Sequence, residues 1–329
     1  MNILITDCDH GFYDPEEKIT SEAGFCLYFA QCKEPQEVIN AGPEADALIC
    51  QYVEINQTVL QSLPRCKVVG RYGVGLDNID VSVATKLGVK VVHTPGFCSC
   101  EVADHTMGLI LSLTRQIAHM NKLMKASSDI FRDGYTEALK YLTNVERSGR
   151  QILGIIGFGN AGREVAKRAL SFSYKVISYD PYKNESIFSA SGVQKVEFNE
   201  LLQQSDIITL HAPLTEETNQ MIRAETLALM KPSAYLINTA RGPIVDDIAL
   251  AKALEVKQIA GAALDVTPNE PLPPDHPFMK LDNVILTPHI AFYSQTSIYD
   301  LKSKTAQYTV NALRNNGEFH IANPEVLKK

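Results

Sequence analysis

The chain has 329 residues, of which 45% are apolar and 21% are charged, and it contains no Trp. This length suggests about two domains, and the apolar content excludes an intrinsically disordered chain. Its 31 Lys and Arg against 38 Asp and Glu give a net charge of −7. That balance argues against nucleic acid or an anionic membrane as a partner, because both require a basic face.

The seven cysteines all lie within the first 100 residues. An odd number of cysteines in a chain of this size, without a basic flank or long apolar run at the N-terminus, indicates reduced thiols and a cytoplasmic protein.

Cys98 and Cys100 near Asp104 and His105 could suggest a metal site. The apolar helical pattern that follows favours buried thiols instead, so no metal is predicted.

Short β-rich runs alternate with helical patterns, which is typical of parallel sheets covered by helices. In the first part of the chain, strands are predicted at 3–6, 25–29, 47–50, 67–70 and 89–93. Helical segments at 57–63 and 81–87 lie between them, and Asp80 occupies the N-cap position of the second segment. These elements suffice for one small doubly wound domain.

A long helix is predicted over residues 99–126, followed by a polar and irregular stretch at 127–149. A second set of strands follows at 152–157, 175–179, 207–211, 234–238, 259–264 and 284–287. Six strands suit a complete dinucleotide-binding sheet. A final helical pattern at 295–314 comes after that sheet is complete.

The strongest chemical signal is a G-x-G-x-x-G motif between a predicted strand and an amphipathic helix. Gly157 permits a tight turn, Gly159 lets the backbone approach a pyrophosphate, and Gly162 lets helix and strand pack closely. The helix N-terminus offers unpaired N–H groups to the phosphates. The next strand ends at Asp180, whose carboxylate can bind the ribose hydroxyls and repel a 2′-phosphate. NAD is therefore predicted as the cofactor.

Three charged residues, Arg241, Glu270 and His289, follow the ends of the last three predicted strands. Ligands of open parallel sheets lie outside the carboxyl ends of the strands, so we expect these side chains to converge beside a nicotinamide. Arg can bind a carboxylate, and His can transfer the proton that accompanies a hydride while Glu fixes its tautomer. Taken singly, Arg241 also fits an ordinary surface ion pair, Glu270 a solvated acid, and His289 a packing residue.

These motifs in this order resemble the D-isomer-specific 2-hydroxyacid dehydrogenase family. The resemblance rests on residues 71–80, the glycine motif, and residues 210–215, 238–242, 265–271, 287–289 and 323–327. Residues 98–106 and 291–294 are most similar to the branch of the C-terminal binding proteins and the phosphoglycerate dehydrogenase-like proteins.

The resemblance implies an α/β fold of two doubly wound parallel-sheet domains with a cleft between them. A flavodoxin-like substrate domain is expected at 1–98 and 293–329, and a Rossmann NAD domain at 99–292. The family is typically dimeric through the NAD domain, so a homodimer is expected, with 127–149 as part of the contact.

The family activity is the NAD-dependent, reversible reduction of a 2-oxo acid to a D-2-hydroxy acid. The resemblance implies that His289 donates the proton, that Glu270 is its partner, and that Arg241 binds the substrate carboxylate and carbonyl. Cofactor contacts are implied at Thr106, Gly157, Gly159, Asn160, Ala161, Gly162, Asp180, His211, Ala212, Pro213, Thr218, Thr239, Ala240 and Asp265.

The substrate side is less specific. Val74 and Gly75 are implied backbone donors to the substrate carboxylate, and Arg71 could reach a phosphate. Tyr52 and Phe292, together with Phe97, could form an apolar wall or serve only in packing. Two alternatives remain open: a 3-phosphoglycerate dehydrogenase, and a corepressor-like binding protein that senses NAD(H) and has incidental activity.

Overall fold

The computed structural model describes residues 1–127, 129, 135–142 and 145–328. The chain divides into two compact units, Met1–Phe97 with Ser294–Lys329 and Cys98–Tyr293. Each unit contains one parallel sheet with helices in its strand connections. The predicted fold class, two doubly wound α/β domains, is confirmed.

The first unit contains a five-stranded sheet in the order β2-β1-β3-β4-β5. Its strands are β1 (Asn2–Ile5), β2 (Cys26–Phe29), β3 (Ala47–Cys50), β4 (Val68–Arg71) and β5 (Lys90–Val92). The connecting helices are α1 (Asp14–Glu22), α2 (Pro35–Ala41), α3 (Gln57–Ser62) and α4 (Val81–Leu87). The Asp80 side chain accepts the Val83 N–H at 3.0 Å, so the predicted cap of α4 is confirmed.

The second unit begins with three helices: α5 (Ser99–Thr114), α6 (Ile117–Ala126) and α7 (Thr136–Tyr141). The prediction of one helix over 99–126 was wrong, because Gln116 adopts a left-handed conformation with φ 54° and separates α5 from α6. The irregular stretch predicted at 127–149 contains α7, so that prediction was also wrong in part. Residues 128, 130–134 and 143–144 of this stretch lie outside the described residues.

A seven-stranded parallel sheet forms the centre of the second unit, in the order β12-β11-β10-β9-β6-β7-β8. Its strands are β6 (Ile152–Ile156), β7 (Lys175–Tyr179), β8 (Gln194–Lys195), β9 (Ile207–Leu210), β10 (Tyr235–Asn238), β11 (Gly261–Leu264) and β12 (Val284–Leu286). The helices are α8 (Asn160–Ser171), α9 (Glu185–Ala190), α10 (Phe198–Gln204), α11 (Ala224–Leu227) and α12 (Asp247–Glu255). The two-residue strand β8 was not predicted, because it is too short to show a pattern.

Apolar side chains cover both faces of this sheet in two clusters. One cluster includes Phe158, which directly follows the first glycine of the motif and stacks on Phe188 with 4.6 Å between ring centroids. Burial of Phe158 fixes the start of the glycine loop against the core. Strands β6 to β11 have the spatial order β8-β7-β6-β9-β10-β11, which is the order of the six strands in dinucleotide-binding sheets. The loops after β6 and β9 therefore flank the point where ligands bind in such sheets.

The last helix, α13 (Gln295–Arg314), packs in the first unit. Ser294 caps it by accepting the Ser297 N–H at 2.9 Å, and its bounds match the predicted segment. Lys302 on α13 pairs with Glu16 on α1 at 2.9 Å, with neither side chain exposed. Within the described part of the chain, no helix combines the length and apolar character needed to cross a bilayer.

Candidate active site

Two glycines of the motif are required by the protein chain itself. Gly157 has φ +89°, and a Cβ there would lie 2.6 Å from the Ala212 nitrogen. A Cβ on Gly162 would lie 2.2 Å from the carbonyl oxygen of Gly157. These contacts explain the tight turn and the close approach of helix and strand that the sequence predicted.

Gly159 differs from these two because a Cβ at this position would meet nothing within 4 Å. Its φ of −76° is also accessible to any residue. The chain therefore gives no internal reason for glycine here, whereas a ligand that approaches the backbone at the N-terminus of α8 would. Asn160 and Ala161 form the first turn of this 12-residue helix, whose N–H groups suit a pyrophosphate.

Asp180 follows β7 and holds the glycine loop. Its carboxylate is buried and accepts the Phe158 N–H at 2.9 Å and the Tyr182 N–H at 3.0 Å. The acidic side chain is thus fixed beside the glycine motif, where the adenosine ribose of a dinucleotide would lie. The loop that follows β7 agrees with NAD as the cofactor.

The loop after β9 contains four of the predicted cofactor residues, His211, Ala212, Pro213 and Thr218. Thr218 donates its hydroxyl proton to the Pro213 carbonyl at 2.7 Å, so the loop is shaped by its own side chains. The His211 ring lies 2.9 Å from the Thr209 hydroxyl. Desolvation lowers the pKa of His211 to about 4, so this imidazole is neutral at physiological pH.

Arg241 lies in the turn after β10, which the buried Asn238 side chain supports. The Asn238 amide donates to the Arg241 carbonyl at 2.9 Å and accepts the Ala240 N–H at 3.0 Å. Thr239 is buried and its hydroxyl lies 3.0 Å from that of Thr106 on α5. The sequence did not identify Asn238 as a support, although a carboxamide at a strand end before a turn is a signal for that role.

Glu270 and His289 form a pair at the carboxyl ends of β11 and β12. The His289 Nδ1 lies 2.7 Å from the Glu270 Oε2, and both side chains are about half exposed. His289 has φ 52°, an uncommon conformation for histidine that is frequent at functional sites. The predicted association of these two residues is present in the structure.

The charge of Glu270 is stabilised by its surroundings. Partial burial raises its pKa, but the His289 hydrogen bond and charge, the Thr267 N–H at 3.2 Å and the positive charge of Arg241 outweigh it. The net result is a pKa below the usual range of a glutamate. Glu270 is therefore a carboxylate at neutral pH, and Arg241 lies near enough to influence it.

Gly242 places the Arg241 turn against the loop that carries Glu270. A Cβ on Gly242 would lie 2.0 Å from the carbonyl carbon of Thr267 and 2.4 Å from the Pro268 nitrogen. Only glycine permits this approach of the two backbones. The close contact brings the turn after β10 and the loop after β11 together.

Asp265, predicted as a cofactor contact, is buried in the loop that carries His289. Its carboxylate accepts the Ile290 N–H at 3.0 Å and the Ala291 N–H at 2.9 Å. Its main-chain carbonyl accepts the His289 N–H at 2.8 Å. The structure thus gives this side chain a clear role in shaping the loop, and the predicted contact with the cofactor stays a prediction.

Most of the predicted substrate residues lie in the first unit. Tyr52 is 63% exposed and donates its hydroxyl to Asp9 at 3.0 Å, and Val74 is 43% exposed in the turn that includes Gly75. Arg71 precedes this turn and its guanidinium donates to the Tyr72 carbonyl. These assignments stay predictions.

Phe292, the remaining predicted substrate residue, lies in the second unit. Its ring meets the imidazole of His289 edge to face, with 6.2 Å between centroids. An apolar ring beside the imidazole suits the predicted wall of the substrate site, and the same contact also packs the loop after β12. Its contact with substrate stays a prediction.

The side chains near Cys98 have other partners than a metal. Asp104 pairs with Arg168 at 2.6 Å, and the His105 ring lies 3.1 Å from the Thr287 hydroxyl. Within the described residues, no group of three or more His, Cys, Asp or Glu side chains could hold a metal ion.

The fold and the loop geometry define an NAD-binding dehydrogenase of the doubly wound class, and comparison with known proteins specifies it further. The family model described as D-isomer specific 2-hydroxyacid dehydrogenase, NAD binding domain, matches residues 107–291. The chain belongs to the D-isomer-specific 2-hydroxyacid dehydrogenase family. This confirms the predicted family and cofactor: the protein is an NAD-dependent D-2-hydroxyacid dehydrogenase that acts on a small hydroxy or oxo acid.

Individual relatives show the extent of the similarity. The chain is 41% identical over 298 residues to a glyoxylate reductase of Thermofilum pendens, covering 89% of this chain and 86% of that protein. It is 39% identical to a D-3-phosphoglycerate dehydrogenase of Methanocaldococcus jannaschii, covering 88% of this chain and 53% of that protein. A solved D-lactate dehydrogenase from Aquifex aeolicus, complexed with NAD and lactic acid, matches with TM-score 0.80 and 28% identity over 99% of this chain and 98% of that one.

Proposed function

We propose that the protein reduces a 2-oxo acid with a small substituent, such as glyoxylate or hydroxypyruvate, to the D-2-hydroxy acid. The observation that carries this proposal is the pairing of His289 with Glu270 at 2.7 Å, with Arg241 close enough to influence the charge of Glu270. An acid–base pair beside a fixed cation suits a carbonyl next to a carboxylate. The similarity to a glyoxylate reductase supports a small substituent.

The residues of the second unit that would hold NAD are the glycine motif and Asp180. The open space at Gly159 admits the pyrophosphate at the N-terminus of α8, and the Asp180 carboxylate accepts hydroxyl protons of the adenosine ribose. The nicotinamide supplies or accepts the hydride when the cofactor is bound. The residues predicted from the family, including Thr106, Thr239 and Asp265, complete the proposed cofactor site.

His289 is the proposed proton donor for reduction. Because Nδ1 engages the Glu270 carboxylate, Nε2 is the ring atom that delivers the proton to the substrate carbonyl oxygen. The carboxylate of Glu270 stabilises the imidazolium and fixes its orientation. In oxidation, the neutral imidazole takes the hydroxyl proton back at the same atom.

Arg241 is the proposed anchor of the substrate. Its guanidinium binds the 2-oxo carboxylate and places positive charge near the carbonyl oxygen, where negative charge develops during hydride transfer. Asn238 and Gly242 fix the turn on which it lies. The backbone N–H groups of Val74 and Gly75 are proposed to donate to the same carboxylate, as the family resemblance implies.

We also propose a homodimer formed through the NAD-binding unit. Helix α6 has no buried residue, yet it exposes 56% of Ile117 and 48% of Met124. Exposed apolar side chains on a helix that fully buries none of its residues favour an interface with a second subunit. Light scattering coupled to size-exclusion chromatography tests this directly, with Met124→Lys expected to shift the mass from dimer toward monomer.

A cytoplasmic location is proposed too, which the seven free cysteines support.

The proposed activity is tested by following NADH oxidation with a panel of 2-oxo acids. The panel contains glyoxylate, hydroxypyruvate, phosphohydroxypyruvate, phenylpyruvate and 4-methylthio-2-oxobutyrate. We expect the highest kcat/KM with glyoxylate or hydroxypyruvate. Highest activity with phosphohydroxypyruvate would replace this assignment by a 3-phosphoglycerate dehydrogenase, and tight NADH binding without turnover of any acid would indicate a binding protein.

A further inference from the structure

Helix α5 presents two successive polar side chains to the two loops of the candidate active site. Thr106 contacts Thr239, two residues before Arg241. His105 contacts Thr287, two residues before His289, with 3.1 Å between Nε2 and the hydroxyl oxygen. Apart from the metal alternative near Cys98 and Cys100, which the sequence analysis did not favour, no sequence pattern selects His105.

The direction of the hydrogen bonds around Thr287 follows from its chemistry. Its hydroxyl lies 2.5 Å from the Asp265 Oδ1, and because an ionised carboxylate only accepts, the hydroxyl proton points to Asp265. The Thr287 oxygen must then accept a proton from the His105 Nε2. The His105 Nε2 is also only 3.5 Å from the same Asp265 oxygen, so the N–H that it donates to Thr287 lies close to the carboxylate.

The acceptor at the end of this chain holds the loop of His289. The Asp265 side chain is 1% exposed, and its two oxygens accept the N–H groups of Ile290 and Ala291. Its carbonyl accepts the His289 N–H. The φ of 52° at His289 persists only where the surroundings fix the backbone. His105 adds an N–H group close to this carboxylate, whose other hydrogen bonds among the described residues come from two backbone N–H groups and the Thr287 hydroxyl.

We propose that His105 is a positioning residue for His289, acting through Thr287 and Asp265. Donation from the His105 Nε2 orients the Thr287 hydroxyl and keeps the Asp265 carboxylate in the place where it binds the loop. This inference rests on the proposed role of His289 as the proton donor. It assigns no contact between His105 and the substrate or the cofactor.

The test compares His105→Leu, which removes the donor, with His105→Gln, which retains an N–H donor of similar reach. We expect His105→Leu to lower kcat by about tenfold or more, because small displacements of a catalytic group have effects of this size. The dissociation constant of NADH should change much less than kcat, the thermal midpoint should remain near its wild-type value, and His105→Gln should recover most of the turnover. His320→Leu in the other unit is the matched histidine control.

A second variant keeps the proposal testable if His105→Leu fails to fold. Thr287→Val removes the same link from the other side, and we expect a similar loss of kcat. In the double variant the two losses should not add, because both changes break one chain of hydrogen bonds. Full activity of either single variant, additive losses, or a loss of NADH affinity equal to the loss of kcat would overturn the proposal.

Hydrogen–deuterium exchange provides a measurement that does not depend on turnover. His105→Leu should increase the exchange of the amides at 289–291 by about tenfold, the effect of weakening one hydrogen bond to a charged group, whereas His105→Gln should not. If the wild type reduces no 2-oxo acid, the proposed function fails while this measurement still decides the role of His105. Unchanged exchange in His105→Leu would contradict the positioning role whatever the substrate is.

Discussion

Gly242 lies so close to Thr267 that a Cβ at position 242 would be 2.0 Å from the Thr267 carbonyl carbon. This contact joins the turn of Arg241 to the loop of Glu270. We expect Gly242→Ala to separate the two loops and lower kcat/KM for the 2-oxo acid by about a hundredfold, since catalytic geometry tolerates little displacement. Steady-state kinetics measure the loss of kcat/KM, and NADH fluorescence titration measures whether cofactor binding also changes. An unchanged kcat/KM would show that the loops act independently.

The pair of His289 and Glu270 predicts different results for two substitutions. His289→Gln removes the proton donor, and we expect kcat to fall by about a thousandfold while NADH binding is retained. Glu270→Gln keeps a hydrogen-bond acceptor for the imidazole but removes the negative charge. We expect kcat for reduction to fall by about tenfold or more, because the imidazolium of His289 loses its counter-charge. Equal kcat of the wild type and Glu270→Gln would contradict the electrostatic role.

Two glycines of the same motif should respond oppositely to alanine. Gly159→Ala adds a methyl group where the chain leaves open space, so we expect normal folding and NADH binding weakened by about tenfold or more. Gly162→Ala places a Cβ 2.2 Å from the Gly157 carbonyl, so we expect a lower thermal midpoint without cofactor. Differential scanning fluorimetry with and without NADH separates the two effects. Equal destabilisation of both variants would refute this assignment.

Asp180 is expected to have two functions, since it holds the Phe158 N–H and faces the proposed ribose site. Asp180→Asn retains hydrogen-bond acceptance at one oxygen but loses the charge that repels a 2′-phosphate. We expect the ratio of kcat/KM for NADH to that for NADPH to fall by about tenfold or more. The measurement uses both cofactors with one saturating 2-oxo acid, and Asp282→Asn serves as a surface control. An unchanged ratio would assign selectivity to other residues.

The neutral His211 predicts a loss of stability at acid pH. Its pKa is lowered from 6.5 to about 4 in the folded protein, so between these values the unfolded chain binds a proton that the folded chain does not. The free energy of unfolding therefore decreases as the pH falls from about 6.5 to about 4, by up to about 3 kcal/mol. Urea denaturation of the wild type and His211→Asn across this range measures it. Equal pH dependence of the two proteins would exclude His211 as the cause.

Local sequence patterns determined much of the fold. The period of apolar residues located the strands of both sheets to within a few residues, and the cap residue Asp80 marked the start of α4. The same approach missed β8, which has only two residues, and joined α5 to α6 because the apolar pattern continues past Gln116. Short elements and single left-handed residues leave too little periodic signal for detection.

The chemistry of the site was also partly determined by the sequence. The glycine spacing with Asp180 indicated a dinucleotide, and Arg241, Glu270 and His289 were selected because each follows a strand end. Hydrogen bonds within a few residues, such as that from Thr218 to the Pro213 carbonyl, have a local origin too. These features depend on neighbours in the chain, which a sequence contains directly.

Only the tertiary structure decided which distant side chains meet. The 2.7 Å contact of His289 with Glu270 and the link from His105 through Thr287 to Asp265 require the ordered sheet and the packing of α5. The buried pair of Lys302 and Glu16 likewise joins two distant parts of the chain, although Lys and Glu are residue types that usually lie on a solvated surface. Charged side chains are placed inside a protein only when a partner is brought to them, and folding, not local pattern, supplies that partner.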